Sequence, residues 1–294
     1  MVDKALYPFK NHYFHNKGWR YHYLDEGPAD AEPVLMVHGN PTWSFYYRNL
    51  VQGIKSEYRA IAPDHLGCGL SDKPKKNQYP YSLDQRVEDL EALIEHLDLK
   101  QKIHLVVHDW GGMIGMTWAR RNPERVKSIV VTNTAAFHLP VTKKFPWALR
   151  VCRSTAIGPL LVQGLNMFTR AANKTCTTRQ VLSKEIQKAY AEPHSNWNDR
   201  TSVLRFVQDI PIKESEPSYK TVSETEAALS SLQHIPMMIC WGAKDWVFDD
   251  HFLTQWQQHF PKAEVHRFPD VGHYILEDAW EEILPLVRNF LNSF

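Results

Sequence analysis

The sequence predicts an α/β fold with a mostly parallel, doubly wound sheet, an N-terminal antiparallel hairpin and a helical cap inserted after the sixth strand. The main observation is that short apolar runs without helical period, typical of strands buried on both faces, alternate with segments of helical period. The second is a long stretch of helical patterns only, which interrupts this alternation. A chain of 294 residues is long enough to bury a substantial core.

The predicted sheet begins with two antiparallel strands within residues 12–27. Trp19, Tyr21 and Tyr23 alternate along the second strand and therefore share one of its faces. Lys17 and Gly18 lie between the two strands and provide the turn. We expect these strands to form a hairpin at the start of the sheet.

The other strands are short buried runs that alternate with helices. They are predicted at residues 34–37, 58–63, 103–109, 126–131, 236–242 and 263–268. Helical spacing of apolar residues predicts helices over 83–97, from 110 to a stop at Asn122-Pro123, and near 222–232. This alternation predicts a parallel sheet with helices on both faces.

Residues 137–213 have helical patterns only, and we expect them to form a cap over the carboxyl edge of the sheet. The core would then comprise residues 1–136 and 214–294. The cap contains aromatic residues that wall an apolar pocket or form the core of the cap itself, and the sequence leaves both open. These residues are Phe145, Trp147, Phe168, Trp197 and Phe206.

The composition favours a small-molecule partner over nucleic acid or membrane. The net charge is +1, and Lys and Arg are scattered among Asp and Glu. The four cysteines show no CxxC pair and no metal-ligand spacing with histidine, so no metal site is predicted. The N-terminal residues lack an apolar leader, and no stretch has the apolar length of a membrane span. We expect a cytoplasmic protein.

The predicted strand at 103–109 ends in a motif with unusual chemistry. Asp109 lies between small residues, with Val107 two positions before it and Gly111 two positions after it. This spacing is typical of a nucleophile elbow, which exposes its central residue at the carboxyl edge of a parallel sheet. A carboxylate there can attack carbon without a base, and the following helix N-terminus favours its charged form. The alternative is that Asp109 only caps the helix.

Two further residues follow later strands in the order that α/β-hydrolases use for acid and histidine. Asp245 lies just past the strand at 236–242, and His273 lies in a Gly-His turn after the strand at 263–268. Asp249 and Asp250 lie in the same loop as Asp245 and leave its assignment less specific. The order of nucleophile, acid and histidine predicts catalysis by Asp109, Asp245 and His273.

Asn40 is predicted to lie at the same sheet edge. It follows the strand at 34–37 in a tight Gly-Asn-Pro loop, at the end of a strand where sites are built. A turn asparagine that bonds its own backbone is the alternative interpretation.

Five motifs resemble those of the haloalkane dehalogenases, an Asp-nucleophile branch of the α/β-hydrolase fold. They are, in chain order, HGNPTW, DHLGCGLSDKP, VVHDWGG, WGAKD and PDVGHY. The resemblance covers nearly the whole predicted core, whereas the cap is similar only in size and helical content. It implies an α/β-hydrolase fold with Asp109 as nucleophile, His273 as base, Asp245 as acid partner, and Asn40 with Trp110 as the halide-stabilising pair.

One position departs from part of the family. Some members place the acid, as glutamate, just after the strand that follows the elbow, where this chain has Asn133. The acid is therefore expected to be Asp245. An aspartate acid with an Asn-Trp halide pair resembles the third subfamily, whose relatives include the β-lactone decarboxylases of bacterial olefin biosynthesis.

The implied reaction is an SN2 attack of Asp109 on a carbon that bears a halide. Water deprotonated by His273 would then cleave the alkyl ester to an alcohol, with the backbone N–H groups of Asn40 and Trp110 as oxyanion hole. The partners are a small apolar substrate, water and halide, and no cofactor is required.

Three other functions remain open. A β-lactone decarboxylase would use the same Asp, His and Asp residues. An epoxide hydrolase would need cap tyrosines, for which Tyr190 and Tyr219 are candidates, but Asn40 stands where that class has an aromatic residue. The non-enzyme alternative is a ligand-binding protein of this fold, against which the intact set of catalytic residues argues.

Overall fold

The computed structural model describes residues 2–294, and eight of its segments form one sheet. The strands are β1 (His12–Asn16), β2 (Trp19–Glu26), β3 (Pro33–Val37), β4 (Arg59–Pro63), β5 (Ile103–Asp109), β6 (Val126–Thr134), β7 (Met237–Gly242) and β8 (Glu264–Phe268). All the predicted strands are present, with ends shifted by three residues or fewer.

The strand order is β1-β2-β4-β3-β5-β6-β7-β8. β1 and β2 pair antiparallel around the predicted turn, β2 pairs antiparallel with β4, and the other pairs are parallel. From β3 the chain continues to β4 on one side, whereas β5 lies on the other side of β3. The carboxyl ends of β3 and β5 therefore flank a topological switch point, where open α/β sheets place their sites.

Eleven α-helices occur in the described residues. They are α1 (Arg48–Ile54), α2 (Leu83–His96), α3 (Trp110–Arg121), α4 (Trp147–Arg153), α5 (Met167–Thr175), α6 (Lys184–Ala191), α7 (Thr201–Gln208), α8 (Tyr219–Ala228), α9 (Asp250–His259), α10 (Ile275–Asp278) and α11 (Trp280–Leu291). A π-helical turn spans Pro159–Gly164, and the 3₁₀ turns are Ser44–Tyr47, Pro123–Arg125, Glu192–His194, Asn198–Arg200 and Leu229–Leu232.

Helices cover both faces of the sheet. The side chains of β5 show this, since they alternate between two apolar clusters, one on each face. Leu105 and Val107 pack with residues of α2, α3, α8 and α9, while Val106 packs with residues of α1 and α11. All seven residues of β5 are buried. This arrangement confirms the prediction of a doubly wound α/β fold and fixes β5 in the middle of the core.

The segment between β6 and β7 contains α4 to α8 and no strand in the described residues. Several of its side chains belong to core clusters; among them, Phe206 of α7 packs with Trp110, and Tyr190 of α6 packs with Tyr274. By contrast Trp147 is 78% exposed. Part of the aromatic content of the cap therefore faces the candidate site, and the boundaries 137–213 stay a prediction.

Candidate active site

Asp109 lies at the sharp junction between β5 and α3. Its φ of 51° and ψ of −127° are unusual for a residue with a Cβ atom, so the surrounding packing has to hold it there. Two glycines allow the close approach: a Cβ on Gly39 would overlap the Asp109 carboxylate, and one on Gly111 would overlap the carbonyl of Val37. The Asp109 side chain forms no hydrogen bond that caps α3. The capping interpretation therefore has no support in this geometry.

The carboxylate of Asp109 is buried, with 8% of the residue exposed. Its Oδ1 accepts the backbone N–H of Asn40 at 2.5 Å. Burial raises the pKa of Asp109 above its ordinary value, although the charge of His273 and the backbone N–H groups of Asn40 and Trp110 act in the opposite direction. The N–H of Trp110 at the start of α3 therefore favours the charged form, as expected from the sequence, while burial opposes it and has the larger effect.

His273 lies between the two aspartates. Its Nδ1 donates to Oδ2 of Asp245 at 2.6 Å, and its Nε2 lies 3.7 Å from Oδ2 of Asp109. Burial alone would lower the pKa of His273, but the charges of Asp245 and Asp109 and the hydrogen bond to Asp245 raise it overall. The three residues predicted from chain order are therefore neighbours in space, with Nε2 directed toward the nucleophile.

Asp245 is held by donors from two segments. Its Oδ1 accepts the backbone N–H of Val247 at 2.7 Å, and its Oδ2 accepts the side-chain amide of Asn133 at 3.1 Å. Asn133 also binds Gly242, because its Oδ1 accepts the Gly242 N–H at 2.8 Å and its Nδ2 donates to the Gly242 carbonyl at 3.0 Å. Asn133, which occupies the alternative acid position, thus helps to hold the carboxylate of Asp245 in place. The sequence had not indicated this contact.

Asn40 and Trp110 both adjoin Asp109, Asn40 through its backbone N–H and Trp110 as the next residue in the chain. The Asn40 amide donates to the carbonyl of Val203 in α7 at 3.2 Å, while its Oδ1 is buried and has no partner among residues 2–294. It does not bond its own backbone as a turn asparagine would. The Trp110 ring lies 5.4 Å from that of Phe206, also in α7. Cap helix α7 therefore positions both predicted leaving-group donors.

Two residues beside the triad were not singled out from the sequence. His108 precedes Asp109, and its Nε2 donates to the carbonyl of His273 at 2.9 Å. Its ring stacks on that of Tyr46 at 4.3 Å. Tyr274 follows His273 and is fully buried. The sequence signals for them were their positions next to predicted catalytic residues and within the motifs VVHDWGG and PDVGHY.

The arrangement supports nucleophilic catalysis in a buried site. A carboxylate nucleophile, a histidine held by an acid, and neutral N–H donors are present within one site.

Over residues 2–294, none of the helices has both the length and the apolar character to span a membrane. The four cysteines are free thiols.

Comparison with known proteins agrees with this geometry. A model of the alpha/beta hydrolase fold family matches residues 32–279. The chain is 52% identical to the cis-3-alkyl-4-alkyloxetan-2-one decarboxylase of Shewanella oneidensis, over 100% of this chain and 91% of the relative. It is 31% identical to a haloalkane dehalogenase of Mycolicibacterium paratuberculosis, over 94% and 91% of the two chains.

A solved structure is similar over nearly the whole chain. A loop variant of a haloalkane dehalogenase from Bradyrhizobium elkanii superposes with a TM-score of 0.86 at 25% identity, covering 97% of each chain. The resemblance stated from the motifs is therefore confirmed, and it supports the prediction of an enzyme. The chain belongs to the α/β-hydrolase fold family, and its relatives include cis-3-alkyl-4-alkyloxetan-2-one decarboxylases and, at lower identity, haloalkane dehalogenases.

Proposed function

We propose that the protein is a β-lactone decarboxylase that converts a cis-3,4-dialkyl-oxetan-2-one to an alkene and carbon dioxide. The observation that favours this reaction over dehalogenation is the 52% identity to a decarboxylase of this type over the whole chain, against 31% to a haloalkane dehalogenase. This reverses the order of the two functions expected from the motifs alone. The site geometry is compatible with both reactions, so the proposal rests on the higher sequence identity to the decarboxylase.

In the proposed first step, a carboxylate oxygen of Asp109 attacks C4, the alkyl-substituted ring carbon that is bonded to the ring oxygen. The ring carbon–oxygen bond breaks, and its electron pair moves to the ring oxygen, which becomes part of a carboxylate. The side-chain N–H groups of Asn40 and Trp110 stabilise this developing charge, as they would stabilise a departing halide.

The intermediate is an ester of Asp109 with a carboxylate on the neighbouring carbon. In the second step the bond to the carboxylate carbon breaks, and its electron pair forms the carbon–carbon double bond. The ester carbon–oxygen bond breaks at the same time and returns its electron pair to Asp109. Carbon dioxide and an alkene leave, and no water is consumed. A protonated His273, with Nε2 at 3.7 Å from Oδ2 of Asp109, stabilises the returning carboxylate.

Haloalkane dehalogenation is the second candidate, and the pairing of Asn40 with Trp110 beside Asp109 favours it. Here a halide leaves in the first step, and water deprotonated by His273 cleaves the alkyl ester in the second. The two candidates therefore differ in the role of His273 and in the need for water.

Epoxide hydrolysis has weaker support. Of the two tyrosines considered for it, Tyr190 donates its hydroxyl to the buried carboxylate of Glu277. Tyr219 packs against the ring of His138 at 4.2 Å. Neither contact presents a hydroxyl to an epoxide oxygen, so no epoxide hydrolase is proposed.

To test this proposal, the purified protein is incubated separately with a cis-3,4-dialkyl-β-lactone and with a 1-bromoalkane of equal carbon number. We expect alkene and carbon dioxide from the lactone, and loss of both products in Asp109→Asn. Bromide release with no alkene would replace this proposal with the dehalogenase reaction. In that case His273→Gln should accumulate an alkyl ester on Asp109, visible by intact-mass measurement.

A further inference from the structure

Tyr274 has a buried hydroxyl without a partner. The residue is 0% exposed, and its hydroxyl forms no hydrogen bond with any atom of residues 2–294. Buried polar groups are normally paired, because water no longer satisfies them. An unpaired hydroxyl next to a catalytic histidine therefore calls for a ligand that supplies the acceptor.

The ring of Tyr274 is held from several sides. It lies 5.3 Å from the ring of Tyr190 in the cap, 5.8 Å from that of Tyr46 and 5.8 Å from that of His273. Its backbone N–H donates to the carbonyl of Cys176 at 2.7 Å. These contacts fix where the hydroxyl lies, so it cannot turn to solvent for a partner.

Other buried tyrosines in the same region have satisfied hydroxyls. Tyr190 donates to Glu277, and Tyr47 donates to the carbonyl of Val37 at 2.8 Å. The hydroxyl of Tyr46 accepts the backbone N–H of Leu276. Tyr274 differs from these three tyrosines in having an unpaired hydroxyl, and Nδ1 of the neighbouring His108 likewise has no partner among residues 2–294.

The hydroxyl also lies within electrostatic range of the nucleophile. Burial is the largest cause that raises the pKa of Tyr274 well above its ordinary value, and electrostatic interactions with Cys176 and Asp109 raise it further. It therefore remains a proton donor at neutral pH. A neutral donor that interacts electrostatically with Asp109 and lies against the ring of His273 suits a substrate with a hydrogen-bond acceptor close to the attacked carbon.

We propose that the Tyr274 hydroxyl donates a hydrogen bond to the carbonyl oxygen of the β-lactone, and that it selects lactones over haloalkanes. This inference rests on the proposed decarboxylase function. A haloalkane has a single leaving atom, for which Asn40 and Trp110 suffice, whereas a lactone has a second oxygen that also needs a donor. When the ring opens, negative charge spreads over both oxygens, so the bond to Tyr274 strengthens in the transition state.

The test is Tyr274→Phe, which keeps the ring and removes the hydroxyl. We expect kcat/KM for the lactone to fall about 10- to 100-fold, somewhat less than the loss of a dedicated oxyanion donor. Alkylation of Asp109 by a 1-bromoalkane, followed by intact mass in a His273→Gln background, should change less than about twofold. The Tm should stay equal or rise, because the lost hydroxyl has no partner in the free protein.

Tyr79→Phe is the matched control. Its hydroxyl is also buried but donates to Asp89 at 2.5 Å, in a cluster beneath the N-terminal hairpin. We expect Tyr79→Phe to lower the Tm and leave kcat/KM for the lactone unchanged. The two variants should therefore show opposite patterns of stability and activity.

Several outcomes would contradict the inference or the proposed function on which it rests. Unchanged lactone turnover in Tyr274→Phe overturns it while the proposed function stands. An equal loss with lactone and bromoalkane, or a loss that follows a lowered Tm, shows a structural role and also overturns it. If the wild-type protein forms no alkene from any lactone, the proposed function itself fails first.

Discussion

The side-chain amide of Asn133 donates to Oδ2 of Asp245 at 3.1 Å, and this same oxygen accepts the Nδ1–H of His273 at 2.6 Å. Asn133 is fully buried and has a φ of 31°. Its side-chain amide also forms hydrogen bonds with the backbone N–H and the carbonyl of Gly242, the last residue of β7. The residue therefore orients the acid and anchors the strand that carries it.

Asp245→Asn should be far more damaging to activity than Asn133→Ala. Removing the Asp245 charge leaves His273 without its partner and favours the wrong tautomer, for which a loss of about 10³- to 10⁴-fold in kcat is expected. Asn133→Ala keeps the charge but leaves Gly242 N–H unpaired, so we expect a destabilisation of about 1 to 3 kcal/mol and a smaller loss of activity. Steady-state kinetics and urea unfolding of both variants measure this.

The double variant Asp245→Asn with Asn133→Asp tests whether the two positions can exchange roles. Partial recovery of kcat would show that a carboxylate at either place can serve His273. If Asp245→Asn alone has nearly wild-type activity, the acid is not Asp245.

The order of residues along the chain was enough to predict that the three candidate catalytic residues meet in space. Asp109, Asp245 and His273 each follow a buried strand, and parallel strands bring their carboxyl ends to one edge. The support given by Asn133 and Val203 was not predictable, because these contacts join segments far apart in the sequence and leave no periodic pattern.

The same reason applies to the cap. Sequence patterns indicated helices between β6 and β7, but not which aromatic side chains turn inward. Phe206 faces Trp110, while Trp147 lies on the surface, and both are aromatic residues in predicted helices. Amphipathic patterns give a buried face, yet only the packing of cap on core shows whether that face lines the site.

The pH profiles of the two candidate reactions should differ. The raised pKa of Asp109 makes both rates fall as the carboxylate is protonated, at a pH above its ordinary 3.8. Ester hydrolysis also needs neutral His273, whose pKa is raised above 6.5, so bromoalkane turnover should keep rising above that pH. Lactone turnover uses protonated His273, so it should show no second rise and should instead fall as His273 loses its proton.

Measurement of kcat for both substrates from about pH 4 to 9 checks this difference. A second rise above pH 6.5 with the lactone would mean that His273 acts as a base there too, and the proposed second step would need water.

Glu277→Gln should strongly destabilise the fold. The carboxylate of Glu277 accepts Nη2 of Arg48 at 2.7 Å and Nη1 at 2.5 Å, and also the hydroxyl of Tyr190 from the cap. Both charged side chains are buried, so removing one charge leaves the other without a partner, at a cost of about 3 to 5 kcal/mol. Urea unfolding gives the free energy directly.

Asp250→Asn is the matched control for that variant. Asp250 also binds an arginine through both oxygens, at 3.0 and 2.7 Å to Arg267, but both side chains are about half exposed. We expect less than about 1 kcal/mol, because solvent screens an exposed pair. Similar losses in the two variants would contradict the role assigned to burial of the Glu277 pair.

Trp110→Phe should slow the first chemical step and leave the fold intact. The substitution keeps an aromatic ring against Phe206 but removes the indole N–H that we expect to face the leaving group. Loss of one such donor costs about 10- to 1000-fold in rate, because it acts on charge that develops only in the transition state. The rate of Asp109 alkylation by a 1-bromoalkane and the rate of alkene formation from the lactone both measure this step.

Trp118→Phe is the control on the same helix. Trp118 is fully buried, and its indole N–H has no hydrogen-bond partner in the described part of the chain, so the substitution changes packing away from the nucleophile. We expect it to lower the free energy of unfolding and leave both rates within about twofold. If Trp110→Phe is as active as Trp118→Phe with both substrates, the indole N–H does not bind the leaving group. Asn40 and the backbone N–H groups would then have to stabilise the departing charge alone.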